Sequence, residues 1–145
     1  MITLKTFSYK PSDHEAERAS NSYLMSVIAL MVGMPFPIVN LIATFIFYLG
    51  NRKSTYFVRW HCMQALLSQI SLFIPNAYSF YWTISILMGE KELNNDYFAF
   101  VIIVAAVNFI EFLATIYTAT KSRKGIHVEW MFYGDLANLI CPPKS

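Results

Sequence analysis

The chain has 145 residues, of which 56% are hydrophobic and only 14% charged, with a formal net charge of +2. That charged share is about half the usual one for soluble domains, and so slight a net charge excludes nothing but gives no pull toward nucleic acid. The charges are also unevenly spread. None falls between Tyr23 and Leu49 or between Cys62 and Met88, and Glu111 alone falls between Tyr97 and Thr120. A spanning helix needs about 20 apolar residues, and three such runs do not fit inside a soluble core this small. Helices satisfy their own backbone groups in lipid, so the composition predicts an all-α integral membrane protein.

In chain order, the N-terminal residues mix Asp13, Glu15 and Glu17 with Lys5, Lys10 and Arg18. The apolar run after them is too long for a secretory signal peptide, and no transit-peptide pattern is visible. Ser12-x-x-Glu15 is a capping box, which predicts a helix from near Asp13 to about Val32. Gly33, Pro35 and Pro37 then break the run, and a short return helix is expected from Ile38 to Leu49. Charge placement supports this hairpin. Of the eleven Lys and Arg residues, it leaves only Lys91 on the far side, in keeping with the preference of positive loops for the cytoplasm.

The third segment is expected from about Phe57 to Met88, bent by Pro75, and the fourth from Tyr97 to Thr120, stopped by Gly125. Ile126 to Ile140 is too polar to span and reads as an interfacial amphipathic helix or a cap lying on the cytoplasmic face. The expected organisation is thus a cytoplasmic tail (1–12), a proline-broken helical hairpin (13–50), two long transmembrane helices joined by a short acidic loop (51–120), and a basic junction with a cytoplasmic interfacial segment (121–145). That makes four embedded helical segments with both ends cytoplasmic. The short return arm leaves open whether the hairpin crosses fully.

Leu49-Gly50-Asn51-Arg52, followed by Phe57-Val58-Arg59-Trp60-His61-Cys62-Met63-Gln64-Ala65, resembles the family of the twenty-kilodalton channel-associated subunit of the chloroplast inner-envelope translocon and its small bacterial relatives. Val58, Arg59, Met63, Gln64 and Ala65 match that family's pattern, while Trp60 and His61 replace its Phe-Asn pair. The resemblance implies a four-helix membrane subunit with both termini on the stromal or cytoplasmic side. The lack of a transit peptide favours a bacterial inner membrane over the plastid inner envelope.

Two groups of residues are candidates for function. Arg59, Trp60, His61, Met63 and Gln64 sit at a membrane entrance and read as partner or lipid contacts. Arg59 and Gln64 are five apart, about 140° around a helix, so Arg59 can reach lipid phosphate while Gln64 bonds to another helix. Glu111, about 15 Å into the membrane from Lys121, has Asn108 and Thr115 on its face. Asn40, Ser68 and Gln69 reach a similar depth and complete an intramembrane polar cluster. Such a cluster serves either as glue between helices or as a site that handles protons or ions.

His14, His61 and His127 are far apart in sequence, and a metal site from His61, His127 and Cys62 is set aside. Cys62 and Cys141 have no spacing for a disulfide framework or a zinc site, and no catalytic arrangement or cofactor motif stands out. The reading is therefore a small non-enzymatic membrane subunit of a larger complex, in protein translocation, insertion or membrane-complex assembly. A small ion or solute transporter or channel using Glu111 is one alternative; an accessory subunit of a membrane enzyme or secretion machine is another. The expected partners are membrane lipids and other membrane subunits, a translocon or secretion complex among them. A homo-oligomer stays open; nucleic acid, cofactor and metal are not expected.

Overall fold

The computed structural model describes residues 2–33 and 37–142. Five helices dominate: α1 (Asp13–Gly33), α2 (Pro37–Asn51), α3 (Tyr56–Leu87), α4 (Asn95–Arg123) and α5 (Tyr133–Ile140). Their ends follow local chemistry. Ser12 and Glu15 form the capping box in both directions, with Ser12 N–H donating to Glu15 Oε2 at 2.7 Å and Glu15 N–H donating to Ser12 Oγ at 3.3 Å. Asn94 caps α4 by accepting from Tyr97 N–H at 2.8 Å. Gly125, at φ +72°, closes α4. Its N–H bonds the Ser122 carbonyl while Ile126 N–H bonds that of Lys121, the paired pattern that a left-handed glycine allows.

Gly33 ends α1 and Pro37 begins α2, where a missing N–H costs nothing; Pro35 lies outside the described residues. The two helices pack against each other, α1 also packs on α3 and α4, and α2 lies along α3. Pro75 sits inside α3, which continues through it to Leu87.

Two expectations need correcting. The fold is not purely helical, because Ile2–Lys5 (β1) and His127–Trp130 (β2) form an antiparallel ribbon with Ile2 opposite Trp130 and Lys5 opposite His127. Residues 126–140 are accordingly not one continuous segment. They form β2, all four residues of which are buried, and then the short helix α5. Strands of four residues are too short to announce themselves by periodicity, and the polar groups of His127 and Glu129 point inward because they find partners there. The N-terminal segment is likewise folded back, with the Phe7 ring 4.9 Å from Phe57 and 4.8 Å from His127.

Among the described residues, α4 is the helix long and apolar enough to cross a membrane, whereas α2 is apolar but shorter. Ile102, Ile103, Phe109 and Ile110 of α4 are 61–67% exposed. Leaving such side chains in water forgoes about 1.5–3 kcal/mol each, so this face calls for lipid or for other apolar chains.

The glycines give a contrast that thermal unfolding in detergent can read. Gly125→Ala is expected to destabilise by about 1 kcal/mol or more, because φ is positive and the new Cβ would press on Pro11 at 3.3 Å. Gly50→Ala, in α2 with nothing within 4 Å, is expected to be neutral or to stabilise by up to about 1 kcal/mol.

Candidate functional site

The segment Tyr56 to Leu67 opens α3, and most of its distinctive side chains turn inward. Trp60, His61 and Gln64 are fully buried and Met63 nearly so. Trp60 Nε1 donates to Asn138 Oδ1 on α5 at 2.7 Å. They are held by the chain's own cap, where a partner or lipid contact was expected. Arg59 stays partly exposed.

Gln64 is the hub. Its Nε2 donates to Tyr23 Oη at 2.9 Å and to the Val128 carbonyl at 3.1 Å, and its Oε1 accepts from Trp130 N–H at 3.0 Å. A side-chain amide thus takes the place of a third strand on the free edge of β2. Gly134 makes room for it: a Cβ there would meet Glu129 Cβ at 3.1 Å and Gln64 Oε1 at 3.4 Å.

From Tyr23 a polar chain runs to the surface. Tyr23 Oη lies 2.8 Å from His61 Nδ1, His61 Nε2 lies 3.2 Å from His127 Nδ1, and His127 Nε2 lies 3.1 Å from Glu129 Oε1. Glu129 in turn pairs with Lys5. The proton positions follow from the ends inward. A carboxylate only accepts, so His127 donates from Nε2 and, being neutral, accepts at Nδ1. His61 then donates from Nε2 and accepts at Nδ1 from the Tyr23 hydroxyl, whose oxygen accepts from Gln64. Every member is satisfied in one direction, with both histidines neutral.

Burial lowers the affinity of His127 for a second proton; the Glu129 carboxylate opposes this without cancelling it, and Lys5 adds to the depression. Burial also works against the Glu129 carboxylate, but hydrogen bonds from Lys5 and His127 outweigh it and hold the group below the usual range. The sequence placed the three histidines apart. The fold joins His61 to His127 and leaves His14 exposed. Cys62 and Cys141 are free and buried, and no set of three His, Cys, Asp or Glu among the described residues could hold a metal ion.

The second cluster lies about halfway along α4. Glu111 Oε1 accepts from Gln69 Nε2 at 2.8 Å and from Ser68 Oγ at 3.0 Å, and Asn40 Nδ2 donates to Gln69 Oε1. Helices α2, α3 and α4 are thereby stitched together at one level. Asn40, Thr115 and Ser26 line a crevice beside the carboxyl that is too tight for a water molecule. Asn108 bonds elsewhere: it exchanges two hydrogen bonds with Asn76, at 3.0 and 2.7 Å. Sequence reasoning missed Tyr23, Trp130 and Asn76. The polar tips on Tyr23 and Asn76 inside uncharged runs were the available signal.

Gln64→Leu is expected to destabilise by about 2–4 kcal/mol, since it strands Val128 C=O and Trp130 N–H and unhooks Tyr23; denaturation in mild detergent reads this directly. Acid should also weaken the fold in two stages. With His127 held below its ordinary range, the unfolded chain takes up the proton first, so stability drops as pH falls below about 6.5. Glu129 and Glu15, the latter held at about 2 by hydrogen bonds that overcome its burial, add stability that is full above about pH 4.3 and is lost as pH falls further. A melting temperature that does not change between about pH 7 and pH 5 would contradict the buried His127 pairing.

Searches of curated proteins and of solved structures each give no match. A family profile does match, over residues 19–136, described as the magnetosome magnetite crystal formation protein family (MamF/MmsF). This overturns the resemblance to the translocon subunit family, and the protein-translocation reading that rested on it loses its support. Of the residues behind that resemblance, Val58, Met63, Gln64 and Ala65 are buried and serve the packing of α3, while Arg59 is partly exposed. The chain belongs to the MamF/MmsF family of small magnetosome membrane proteins involved in magnetite crystal formation.

Proposed function

We propose that this protein is a non-catalytic structural component of the magnetosome membrane that acts in magnetite crystal formation as part of a larger assembly. The observation that carries this reading is the family match, which reaches from α1 into α5. The geometry supports a structural role. Buried polar side chains in both clusters bond one another, with Asn40 Oδ1 left over, while the outward faces of α2 and α4 offer apolar surface to lipid and to neighbouring subunits.

We infer a multi-pass topology with both ends of the described chain on the cytoplasmic side, and the ribbon supports the part of this that puts them on one side. β1 pairs with β2, so Lys5 and the end of α4 share one face of the molecule. If α4 crosses the membrane, the chain between Lys5 and Asn95 must cross an odd number of times. The 32 residues of α3 rise about 48 Å and suffice for one crossing. The α1–α2 hairpin then returns to its starting side, whether it spans or only enters. Met131, Phe132, Leu139 and Ile140, all at least 51% exposed, give the cap an apolar rim suited to lying near that surface.

The alternative, an ion path along Glu111, draws less from the geometry, because the carboxyl already holds two donors and the crevice beside it admits no water.

The test is deletion of the protein from a magnetite-forming bacterium that carries it, with crystals measured by electron microscopy. Crystals of altered size or number are expected, restored by the intact chain and also by Glu111→Gln. Unchanged crystals, together with absence of the protein from the isolated magnetosome membrane, would reject the proposal. Rescue by the intact chain but not by a stably folded Glu111→Gln would move the weight to the ion path.

A further inference from the structure

The turn between α2 and α3 forms the floor of an open cavity of about 580 Å³, roofed by Ser8 and Tyr9 of the folded-back N-terminal segment. Three cations line it: Arg52 and Lys53 from the turn, and Arg59 from the first turn of α3. The ion pairs among the described residues involve Lys5, Arg123 and His127 and leave these three unmatched. Arg59 Nε is moreover buried with no hydrogen-bond partner, a costly state for a donor on a charged group.

Glu15, which accepts from the hydroxyl of the lining residue Tyr9, is also engaged by Ser12 N–H. The start of α3 borders the same space through Thr55 and Tyr56, and its Phe57 N–H donates to Tyr9 Oη at 3.3 Å. Three cations converging on one cavity select for an oxyanion, and phosphate above all.

The neighbouring surface identifies the source of that phosphate. Ile42, Phe45, Ile46 and Leu49 are 41–62% exposed and are spaced by three and four residues along α2, so they form one apolar stripe ending a turn before Arg52. A cationic cavity at the end of an apolar helix face has the shape of a lipid, with its headgroup in the cavity and its acyl chains along the helix. Three cations against one engaged carboxylate exceed what a zwitterionic headgroup can balance.

We propose that this cavity binds the phosphate headgroup of an anionic membrane lipid, held by Arg59, Arg52 and Lys53, with the acyl chains lying on the Ile42–Leu49 face of α2. The inference rests on the reading of the chain as a membrane protein but is independent of any role in crystal growth. An intact crystal phenotype with no lipid binding would overturn this inference alone.

The test uses the full chain, purified in an uncharged detergent, and follows thermal unfolding during titration with phosphatidylglycerol, phosphatidylcholine or inorganic phosphate. Phosphatidylglycerol is expected to raise the melting temperature progressively, while phosphatidylcholine and inorganic phosphate should have little effect. Arg59→Gln and Lys53→Gln should each weaken the phosphatidylglycerol effect about tenfold in concentration, and Lys91→Gln, in the turn between α3 and α4 at the opposite end of α3, should leave it unchanged. If Arg59→Gln does not fold, Lys53→Gln on the exposed turn carries the test, supported by loss of the lipid effect between about 50 and about 500 mM salt. Equal stabilisation by phosphatidylcholine would mean that the apolar stripe alone binds. An equal shift with inorganic phosphate would make this a site for free anions, and an undiminished effect in Lys53→Gln would remove the cavity from the account. Each of these results overturns the proposal.

Discussion

A two-stranded ribbon leaves half of its backbone groups without partners, and in a small cap over a helix bundle those groups have no easy access to water. Here the Gln64 amide takes up two of them, on Val128 and Trp130, and holds Tyr23 with its remaining donor. One side chain on α3 therefore fixes β2 and α1 at once. The space it occupies exists because residue 134 has no side chain. Without that amide, the ribbon would bury polar backbone at a cost of about 1–3 kcal/mol per group.

The hydrogen bonds leading away from Gln64 have a direction. Tyr23, His61 and His127 each donate and accept between Gln64, which donates into the chain, and the Glu129 carboxylate, which only accepts. A chain of this kind is strong when complete and weak when any member changes its proton count. The second cluster around Glu111 has the same logic at a deeper level, since a carboxyl between helices is tolerable only when donors surround it. Together the two clusters pin α1, α2, α3 and α4 at two heights.

Much of the helical frame was legible because local chemistry writes it. The capping box at Ser12 and Glu15, the Gly125 stop and the uncharged runs fixed the four long helices to within a few residues. The Asn40, Gln69 and Glu111 contact was also readable, since depth along a helix is simple arithmetic. The cap was not. β1 and β2 are four residues each and pair across more than 120 positions, and no local pattern encodes such a partner. The inward turn of Trp60, His61 and Gln64 was hidden for the same reason: their partners lie on β2 and α5, so polar residues at a helix start looked like an exposed contact.

The ribbon also sets an order of events. Loop-closure entropy makes a contact between residues 2–5 and 127–130 the last to form, and β1 has nothing to pair with until β2 has left the ribosome. Until then Gln64, Tyr23 and His61 stay uncovered, as polar groups at the end of a bundle that is still open. The cap closes only if the intervening helices have brought both strands to the same side. Closure of the cap is therefore what covers those polar groups, and it reports that the helices between the two strands have packed.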